Sequence, residues 1–323
     1  MTEALLKVEN LSIAFKSRHG ELTAVDNISF EMAPGEILGV VGESGAGKSL
    51  TGSALTGLLE KPGFIKSGQI LFENRRIDNL PYEQMRRLRG LKIGAIFQDP
   101  LTSLNPLYTV GFHLVETIMT HLPMNQAQAK DHAIRLLTEV GIPAPEKRFE
   151  QYPHQFSGGM RQRVVIALAI CANPKLIIAD EPTTALDVSV QAQILRLLKT
   201  MSKEHGAAIM LITHDMGVIA ETADRVSVMY AGRIAEIGPV ASVIKNPQHP
   251  YTQGLMAAIP IIGHQAERLA QIDGAMPRLN AIPTGCSFNP RCPKVFERCY
   301  HDRPDLMTAQ DSLAACWLHD KTR

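Results

Sequence analysis

The hydrophobic pattern at the start of the chain is typical of paired strands. Apolar residues alternate with polar or small ones at Leu11, Ile13 and Phe15, and apolar positions recur over residues 25–30. Successive side chains of a strand point to opposite faces, so this alternation indicates strands with one buried face. We therefore expect the chain to open with a small antiparallel β subdomain.

Continuous apolar runs form a second pattern. They occupy residues 37–41, 93–97, 176–179 and 209–213. Runs without alternation indicate strands buried on both faces, as in a sheet covered by helices on each side. Helical spacing over residues 50–59 and 191–203 supplies such helices. These patterns predict an α/β fold.

A helical insertion is expected to interrupt this sheet. Apolar residues recur at helical spacing from Ala133 to Val140, and residues 105–170 are predicted to form a helical subdomain. After about residue 240, proline and histidine become frequent. The sequence thus predicts one α/β domain over residues 1–240 and a small extension over residues 241–323.

Composition narrows the function classes. The chain has 323 residues, 45% hydrophobic residues and a formal net charge of +1, so no broad basic surface for nucleic acid is indicated. Its N-terminus lacks the features of a secretory signal, and no apolar run approaches the length of a transmembrane helix. We expect a cytosolic protein or one bound to the inner face of a membrane.

The most informative motif is GESGAGKS at residues 42–49, between an apolar run and a helical pattern. It fits GxxxxGK(S/T), the phosphate-binding P-loop, whose glycines let backbone N–H groups surround an anion at a helix N-terminus. Lys48 is predicted to reach the β- and γ-phosphates of ATP and Ser49 to bind Mg2+. A glycine-rich turn without a ligand is the alternative. The predicted nucleotide contacts are Gly42, Glu43, Ser44, Gly45, Ala46, Gly47, Lys48, Ser49 and Leu50.

Polar side chains follow three further apolar runs. Asp180 and Glu181 come after one, Gln98 after another and His214 after a third. Asp180 is expected to order Mg2+ and its waters, and Glu181 to position or deprotonate the attacking water. His214 is expected to contact the γ-phosphate or to hold the water in place. Each of these residues alone could equally be a loop entry or a helix cap.

A second anion-binding helix start is predicted at FSGGM, residues 156–160. Ser157, Gly158 and Gly159 precede an apolar-patterned helix, where backbone N–H groups would again face an anion. One nucleotide does not need two such loops. The second one makes sense if it completes a site that belongs to another subunit.

With these motifs in this order, the chain resembles an ATP-binding cassette (ABC) ATPase over residues 5–240. The family's Walker A motif matches GESGAGKS, its signature matches FSGGM, its Q-loop glutamine matches Gln98 and its switch histidine matches His214. Its Walker B motif matches LIIADE at residues 176–181, and its D-loop matches TALD at residues 184–187.

The resemblance implies that two cassettes pair head to tail, with ATP between one P-loop and the other chain's Ser157, Gly158 and Gly159. It implies Phe15 as the aromatic residue that stacks on adenine, although the alternation with Ile13 would instead bury this ring, and both interpretations stay open. The implied Mg2+ ligands are Ser49, Gln98 and Asp180.

One departure points to a branch of the family. Met160 stands where the signature usually has glutamine, so a side-chain amide is missing. This replacement resembles the peptide-importer branch, as do FQDPLTSLNP at residues 97–106, YPHQFSGGM at 152–160 and NPQHPYT at 246–252. The branch also includes nickel and glutathione importers.

The branch implies a set of partners for the chain. It would drive uptake of di- or oligopeptides, alternatively of nickel or glutathione, from the cytoplasmic face of the inner membrane. The implied partners are a second ABC ATPase subunit that is a paralogue, two membrane permease subunits and an extracytoplasmic peptide-binding protein. We expect residues 98–108 to contact the permease.

Four of the five cysteines lie near the end of the chain, separated by five, six and sixteen residues. They are Cys286, Cys292, Cys299 and Cys316, and four thiolates suit either tetrahedral zinc or a 4Fe–4S cluster. No CxxC pair occurs, and GCSFNPRCPKVFERC resembles the importer cassettes with a C-terminal 4Fe–4S cluster. The resemblance favours iron–sulfur, with zinc and four unrelated thiols as alternatives.

Two other functions remain open on the sequence. One is a non-transport ABC ATPase that acts on nucleic acid, although the coiled-coil insertions, tandem cassettes and basic linkers usual in such proteins are not seen. The other is a redox or metal sensor in which the cysteines regulate the protein and ATP is a regulatory ligand.

Overall fold

The computed structural model describes residues 3–18, 20–184, 186–258 and 271–321. The chain divides into two compact units. The first unit contains Met1–Met32, Ile37–Asp78 and Ile212–Arg323, and the second contains Ala33–Glu36 and Asn79–Leu211. The predicted domain limits at residues 240 and 241 therefore stay a prediction, since the extension falls in the same unit as the opening of the chain.

The first unit begins with the predicted antiparallel sheet. Its elements up to residue 78 are β1 (Leu6–Ser17), β2 (Gly20–Met32), β3 (Ile37–Val41), α1 (Lys48–Leu55), β4 (Gly63–Phe72) and β5 (Arg75–Arg76). The order β2-β1-β4-β5 is antiparallel throughout. Strand β3 is buried along its whole length, which confirms the meaning of its continuous apolar run.

The helix after the P-loop is shorter than predicted. It begins at Lys48 and ends at Leu55, so its predicted extension to residue 59 is wrong. The Thr56 hydroxyl donates to the carbonyl oxygen of Gly52 at 3.2 Å, and Gly57 follows with φ 64°. A glycine in the left-handed region is a common way to end a helix, because no Cβ opposes that conformation.

The second unit holds the helical insertion and three strands. Its elements are α2 (Tyr82–Leu88), β6 (Ile93–Ile96), α3 (Pro100–Ser103), α4 (Val110–His121), α5 (Gln126–Glu139), α6 (Pro145–Phe149), a 3-10 turn (Pro153–Gln155), α7 (Gly158–Ile170), β7 (Leu176–Asp180), α8 (Val188–His205) and β8 (Ala208–Ile212). The strand order is β8-β7-β6, with β6 and β7 parallel. The strands predicted from the continuous apolar runs and the helices predicted from helical spacing are confirmed in this unit.

Side-chain caps fix where several helices of the second unit begin. Thr109 accepts from the N–H of Phe112 ahead of α4, and Asn125 forms a reciprocal capping box with Gln128 ahead of α5. Asp187 accepts from the N–H of Val190 at 2.9 Å ahead of α8. Such caps satisfy N–H groups that lack partners within the helix, and they are readable from sequence.

The rest of the first unit extends the sheet around β3. Its elements are α9 (Met216–Thr222), β9 (Arg225–Tyr230), β10 (Arg233–Pro239), α10 (Val240–Lys245), α11 (Pro250–Ala257), a 3-10 turn (Asn289–Arg291), α12 (Arg298–His301), β11 (Met307–Ala309), β12 (Ser312–Ala314) and a 3-10 turn (Trp317–His319). The order is β11-β12-β10-β9-β3; β3 and β9 are parallel and the other pairs antiparallel.

A buried carboxylate joins the C-terminal extension to the sheet. Glu236 of β10 is fully buried and accepts from the backbone N–H of Gln248 at 3.0 Å and of His249 at 2.9 Å. The hydroxyl of Ser312 in β12 donates to the same carboxylate at 3.0 Å. Buried charge is tolerated where hydrogen bonds satisfy it, so this network fixes the extension to the sheet.

Candidate nucleotide-binding site

The P-loop has a backbone that only glycine can adopt. Gly42, Gly45 and Gly47 have φ values of 150°, 82° and 100°. A Cβ on Gly42 would lie 2.1 Å from the carbonyl oxygen of Met229 in β9, which leaves no room for a side chain. The glycine spacing that identified the motif therefore reflects real steric limits.

Lys48 is held inside this loop. Its side chain is buried, and Nζ donates to the carbonyl oxygens of Gly42 at 2.8 Å and Glu43 at 3.1 Å. Ser44, Gly45 and Ser49 are exposed on the outer side of the same loop. A fixed ammonium group next to exposed glycine backbone at the start of α1 suits an anionic ligand.

Two residues that the sequence did not assign support the loop from the extension. The hydroxyl of Tyr251 in α11 accepts from the backbone N–H of Glu43 at 2.9 Å, and Arg291 donates to the Glu43 carboxylate at 3.0 Å. Burial raises the pKa of Tyr251, so its hydroxyl stays neutral. The NPQHPYT match contained Tyr251, but no local pattern indicated that it reaches the P-loop.

In the second unit, Glu181 follows β7 in an unusual backbone conformation. Its φ of 46° is in the left-handed region, which residues other than glycine, asparagine and aspartate rarely adopt. Gln98 Nε2 donates to Glu181 Oε2 at 3.0 Å, and the hydroxyl of Thr184 donates to the same oxygen at 2.8 Å. The structure thus brings Gln98 and Glu181 together and adds a contact from Thr184, the first residue of the D-loop match, which the sequence did not connect with Glu181.

The remaining predicted strand-end residues belong to different units. His214 is exposed just after β8 and belongs to the first unit, whereas Asp180 ends β7 and belongs to the second. Next to His214, Asp215 caps α9 by accepting from the N–H of Gly217 at 2.8 Å. The P-loop and the Asp180–Glu181 pair fall in different units, and the role of each remains a prediction.

The signature segment begins α7 with its polar groups exposed. Ser157 caps the helix by accepting from the N–H of Met160 at 3.3 Å. A Cβ on Gly158 would meet nothing within 4 Å, whereas one on Gly159 would lie 2.7 Å from Val190 Cγ1. Ser157 and Gly158 are therefore accessible in the single chain, which a contact with another subunit requires.

The D-loop is only partly described. Ala185 lies outside the described residues. Beyond it, Asp187 caps α8, and hydrogen bonds from the Ser189 hydroxyl and the Val190 N–H lower its pKa. This part of the motif serves to start the helix.

Phe15 is half-buried, and it is absent from the fully buried core of the first unit. Register shifts on both sides of Ile13 interrupt the strict alternation of β1, so that Ile13 and Ala14 are both buried. Full burial of Phe15, which alternation favoured, is therefore wrong. Stacking on adenine stays a prediction that the partly exposed ring permits.

The four tail cysteines are free thiols in one small module. Burial, and after it the charges of Cys316, Cys299 and Cys292, raises the pKa of Cys286 to about 11. Among the described residues no three His, Cys, Asp or Glu side chains converge so that they could hold one metal ion. The iron–sulfur and zinc expectations are therefore not confirmed. The fifth cysteine, Cys171, is a buried residue of the core, and burial raises its pKa to about 12.

The comparisons with known proteins give the family. The family model described as "ABC transporter" matches residues 25–184, and the one described as "Oligopeptide/dipeptide transporter, C-terminal region" matches residues 235–299. The dipeptide transport ATP-binding protein DppD of Haemophilus influenzae is 48% identical over 94% of this chain and 92% of that protein. The oligopeptide transport ATP-binding protein OppD of Escherichia coli is 47% identical over 98% and 93%.

Solved structures share the fold. The dimeric, post-hydrolysis ATP-binding cassette MJ0796 bound to ADP and phosphate has a TM-score of 0.66 and 27% identity, covering 73% of this chain and 98% of its own. CbiO1 of Clostridium perfringens, part of the ABC transporter complex cbiONQ, has a TM-score of 0.64 and 30% identity, covering 76% and 92%.

Fold and motifs together define a P-loop ATPase of the ABC type, with an antiparallel sheet and a helical part. The chain belongs to the family of ATP-binding subunits of dipeptide and oligopeptide ABC importers. It is the ATP-hydrolysing subunit of an importer, a class whose ATPase subunits dimerise and work with membrane permeases. Within the part of the chain that is described, no helix is long and apolar enough to cross a bilayer.

Proposed function

We propose that this subunit powers the uptake of di- or oligopeptides through a separate permease, with its ATPase at the cytoplasmic face of the inner membrane. The observation that carries this proposal is the near-full-length similarity to dipeptide and oligopeptide transport ATP-binding proteins, which includes the C-terminal region. Nickel and glutathione remain the alternative cargoes. The cargo is selected by the permease and binding protein, so the experiment must include them.

The proposed chemistry is in-line attack of water on the γ-phosphate of ATP. Lys48 and the P-loop N–H groups bind the β- and γ-phosphates, and His214 contacts the γ-phosphate. Ser49, Asp180 and Gln98 would hold Mg2+, which would neutralise developing charge on the phosphate oxygens. Glu181 orients the attacking water and accepts its proton, and its hydrogen bonds from Gln98 and Thr184 fix the carboxylate for this role.

The complete site is proposed to need a second cassette. Ser157, Gly158 and the start of α7 would bind the γ-phosphate of ATP held by the partner's P-loop, with Phe15 against the adenine. The exposure of Ser157 and Gly158 supports this role. The dimeric state of the MJ0796 cassette supports this arrangement. We propose a paralogue as the partner.

An exposed aromatic cluster of the second unit is the proposed permease contact. Tyr108 and Phe112 stack with ring centroids 4.3 Å apart, and Leu107 beside them is 79% exposed. Large apolar side chains exposed together usually mark an interaction surface. Leu107 and Tyr108 lie at the end of the predicted coupling region, residues 98–108, and Phe112 follows four residues after it.

The test is transport by the assembled complex. We would reconstitute the chain with the proposed paralogous cassette, permeases and binding protein. ATP-dependent vesicle uptake would then be measured for a labelled dipeptide, a labelled hexapeptide, Ni2+ and glutathione. Uptake of either peptide, unaffected by the other two compounds, is expected. Uptake of Ni2+ or glutathione alone would overturn the peptide assignment.

A matched pair of variants tests the coupling surface. Phe112→Ala removes an exposed ring of the cluster, and Thr120→Ala changes another exposed position of α4. We expect Phe112→Ala to reduce membrane association and transport while ATP binding persists, and Thr120→Ala to change neither. Equal transport by both variants would contradict the placement of the contact.

We also propose that Cys286, Cys292, Cys299 and Cys316 hold a 4Fe–4S cluster. The backbone N–H of Cys286 donates to the carbonyl oxygen of Cys299 at 2.9 Å, so two of the four cysteines are neighbours in the fold. A cubane cluster presents a different iron to each thiolate, so the four sulfurs need not converge on one ion as zinc requires. Iron and sulfide analysis with an absorption spectrum of anaerobically purified protein tests this. Stoichiometric zinc without iron would overturn it.

The two rival function classes make different predictions. A nucleic-acid ATPase would bind DNA or RNA with strong salt dependence and would not co-purify with a permease. A metal or redox sensor would change its ATPase activity when the metal is removed, while folding and assembly stay intact. The net charge of only +1 disfavours the nucleic-acid ATPase. The match to the C-terminal region of oligopeptide and dipeptide transporters favours the importer over both rivals.

A further inference from the structure

An acidic residue inside a loop that binds ATP presents an electrostatic problem. Glu43 is the second residue of the P-loop, and its side chain is 29% exposed. ATP bound by this loop brings several negative charges close to that carboxylate. An unpaired carboxylate at this position would weaken nucleotide binding by like-charge repulsion.

The C-terminal extension supplies the opposite charge. Arg291 Nη1 donates to Glu43 Oε2 at 3.0 Å, and the Arg291 side chain is only 6% exposed. Exposed ion pairs are weak, but here the cation is buried and the carboxylate is only partly exposed, so removing Arg291 leaves a partly shielded negative charge without compensation. Loss of Arg291 is therefore expected to leave the negative charge of Glu43 uncompensated next to the bound phosphates.

Arg291 is itself fixed by the extension. Its Nε donates to the carbonyl oxygen of Asp273 at 2.9 Å, and Nη2 donates to that of Ile272 at 3.3 Å. Its guanidinium lies 5.7 Å from the ring centroid of Tyr230 and 6.0 Å from that of Phe288. These contacts hold the cation at one place, so little side-chain entropy is lost when it pairs with Glu43.

The backbone of the same loop residue is fixed separately. Tyr251 accepts the N–H of Glu43, and its ring packs against Tyr230 and Phe288 with centroid distances of 4.7 and 5.4 Å. That N–H already has a partner, whereas the Glu43 carboxylate depends on Arg291. The aromatic cluster and Arg291 thus act on different atoms of Glu43.

We propose that Arg291 is a positioning residue of the ATPase, which neutralises and orients the Glu43 carboxylate so that the P-loop accepts the triphosphate. The extension then sets ATP affinity directly, besides any role of its cysteines. The effect should grow with the negative charge of the ligand. It should therefore be larger for ATP than for ADP.

The test is a double-mutant cycle in the full-length chain, read as equilibrium binding of Mg-ATP and Mg-ADP. Arg291→Met removes the charge and keeps much of the volume. Because the Glu43 carboxylate is then left without its cation, we expect ATP binding to weaken about tenfold, which corresponds to about 1.4 kcal/mol. Binding of ADP should weaken less. In the Glu43→Gln background, the same Arg291→Met change should cost less than about twofold.

Two further variants separate charge from support of the fold. Arg291→Lys keeps the cation and should retain ATP affinity within about threefold, although it loses the two-sided guanidinium contacts. Arg298→Met is the matched control, because Arg298 is another cation of the extension, 3.5 Å from the ring centroid of Trp317 and paired with Asp320. It should not alter the ratio of ATP to ADP affinity.

Three results would overturn the proposal. The first is an equal effect of Arg291→Met with Glu43 and in the Glu43→Gln background, since that would show a purely structural role. The second is unchanged ATP affinity in Arg291→Met. The third is an Arg291→Lys variant that folds but binds ATP much more than about threefold more weakly than the wild type. This comparison with the wild type can be made even if Arg291→Met does not fold.

Discussion

The P-loop of the first unit and the acidic pair of the second differ in how firmly they are held. The P-loop is fixed by glycine backbone pressed against β9, by buried Lys48 and by Tyr251 and Arg291 from the extension. Glu181 is held by hydrogen bonds from the exposed residues Gln98 and Thr184, on a left-handed backbone. Hydrogen bonds at exposed positions each stabilise by only about 1 kcal/mol.

This difference suits an enzyme that binds ATP before it hydrolyses it. A loop fixed in the single chain can bind phosphates at once, because its N–H groups need no rearrangement. A strained residue held by exposed hydrogen bonds can change its position with little loss of free energy, which is common at switch points. We therefore expect variants of the two regions to separate binding, stability and hydrolysis.

The largest effect is expected for Glu181→Gln. The amide cannot accept a proton from water, so turnover should fall about 10²- to 10⁴-fold while ATP affinity changes by no more than a few-fold. Phosphate release and equilibrium ATP binding measure the two quantities, with Glu146→Gln at the start of α6 as the exposed control. Undiminished turnover would remove Glu181 from the role of base.

Two glycine substitutions test the firmness of the P-loop. Gly42→Ala places a Cβ against the backbone of Met229 at a φ of 150° and should lower the free energy of unfolding by about 3 kcal/mol. Gly158→Ala meets nothing within 4 Å and should leave the melting temperature of the single chain unchanged. Equal melting temperatures for the two variants would show that the P-loop is not constrained as described.

Acid should destabilise the part of the extension that contacts the P-loop through Tyr251. His249 Nδ1 accepts the N–H of Tyr251 at 3.0 Å, and burial lowers its pKa to about 4 from an ordinary 6.5. As pH falls, the unfolded chain therefore binds a proton at His249 before the folded chain does. The contribution of His249 to the free energy of unfolding is fully present above about pH 6.5 and is lost progressively down to about pH 4. The loss is up to about 3 kcal/mol.

Chemical denaturation between pH 7.5 and 4.5 measures this effect. His249→Asn keeps an acceptor near the position of Nδ1 and cannot be protonated in this range, so the difference between variant and wild type should shrink as pH falls. A parallel decrease in both proteins would assign the acid sensitivity to other groups.

The smallest effect is expected at the hydrogen bond that the sequence did not predict. Thr184→Val removes the hydroxyl that donates to Glu181 at 2.8 Å, and turnover should fall about tenfold, as for one hydrogen bond to a charged group. Thr184→Ser keeps the donor and should stay within about twofold of wild type. Equal turnover in both would mean that Gln98 alone orients the carboxylate.

The sequence by itself determined the elements whose causes are local. Gly42 and Lys48 marked the P-loop because backbone conformation and spacing act within one turn of chain. Ser157 marked a helix start for the same reason, since a cap bonds only three residues ahead. Residues 176–179 were predicted as a buried strand because continuous apolar runs need cover on both faces.

Tertiary structure alone decided the contacts between residues far apart in sequence. Arg291 reaches Glu43 across 248 positions and Tyr251 reaches it across 208, and no local pattern encodes either pairing. The partial exposure of Phe15 depended on register shifts against β2 and β4. Such contacts arise when the whole chain packs, because side-chain partners are set by the fold and not by spacing along the chain.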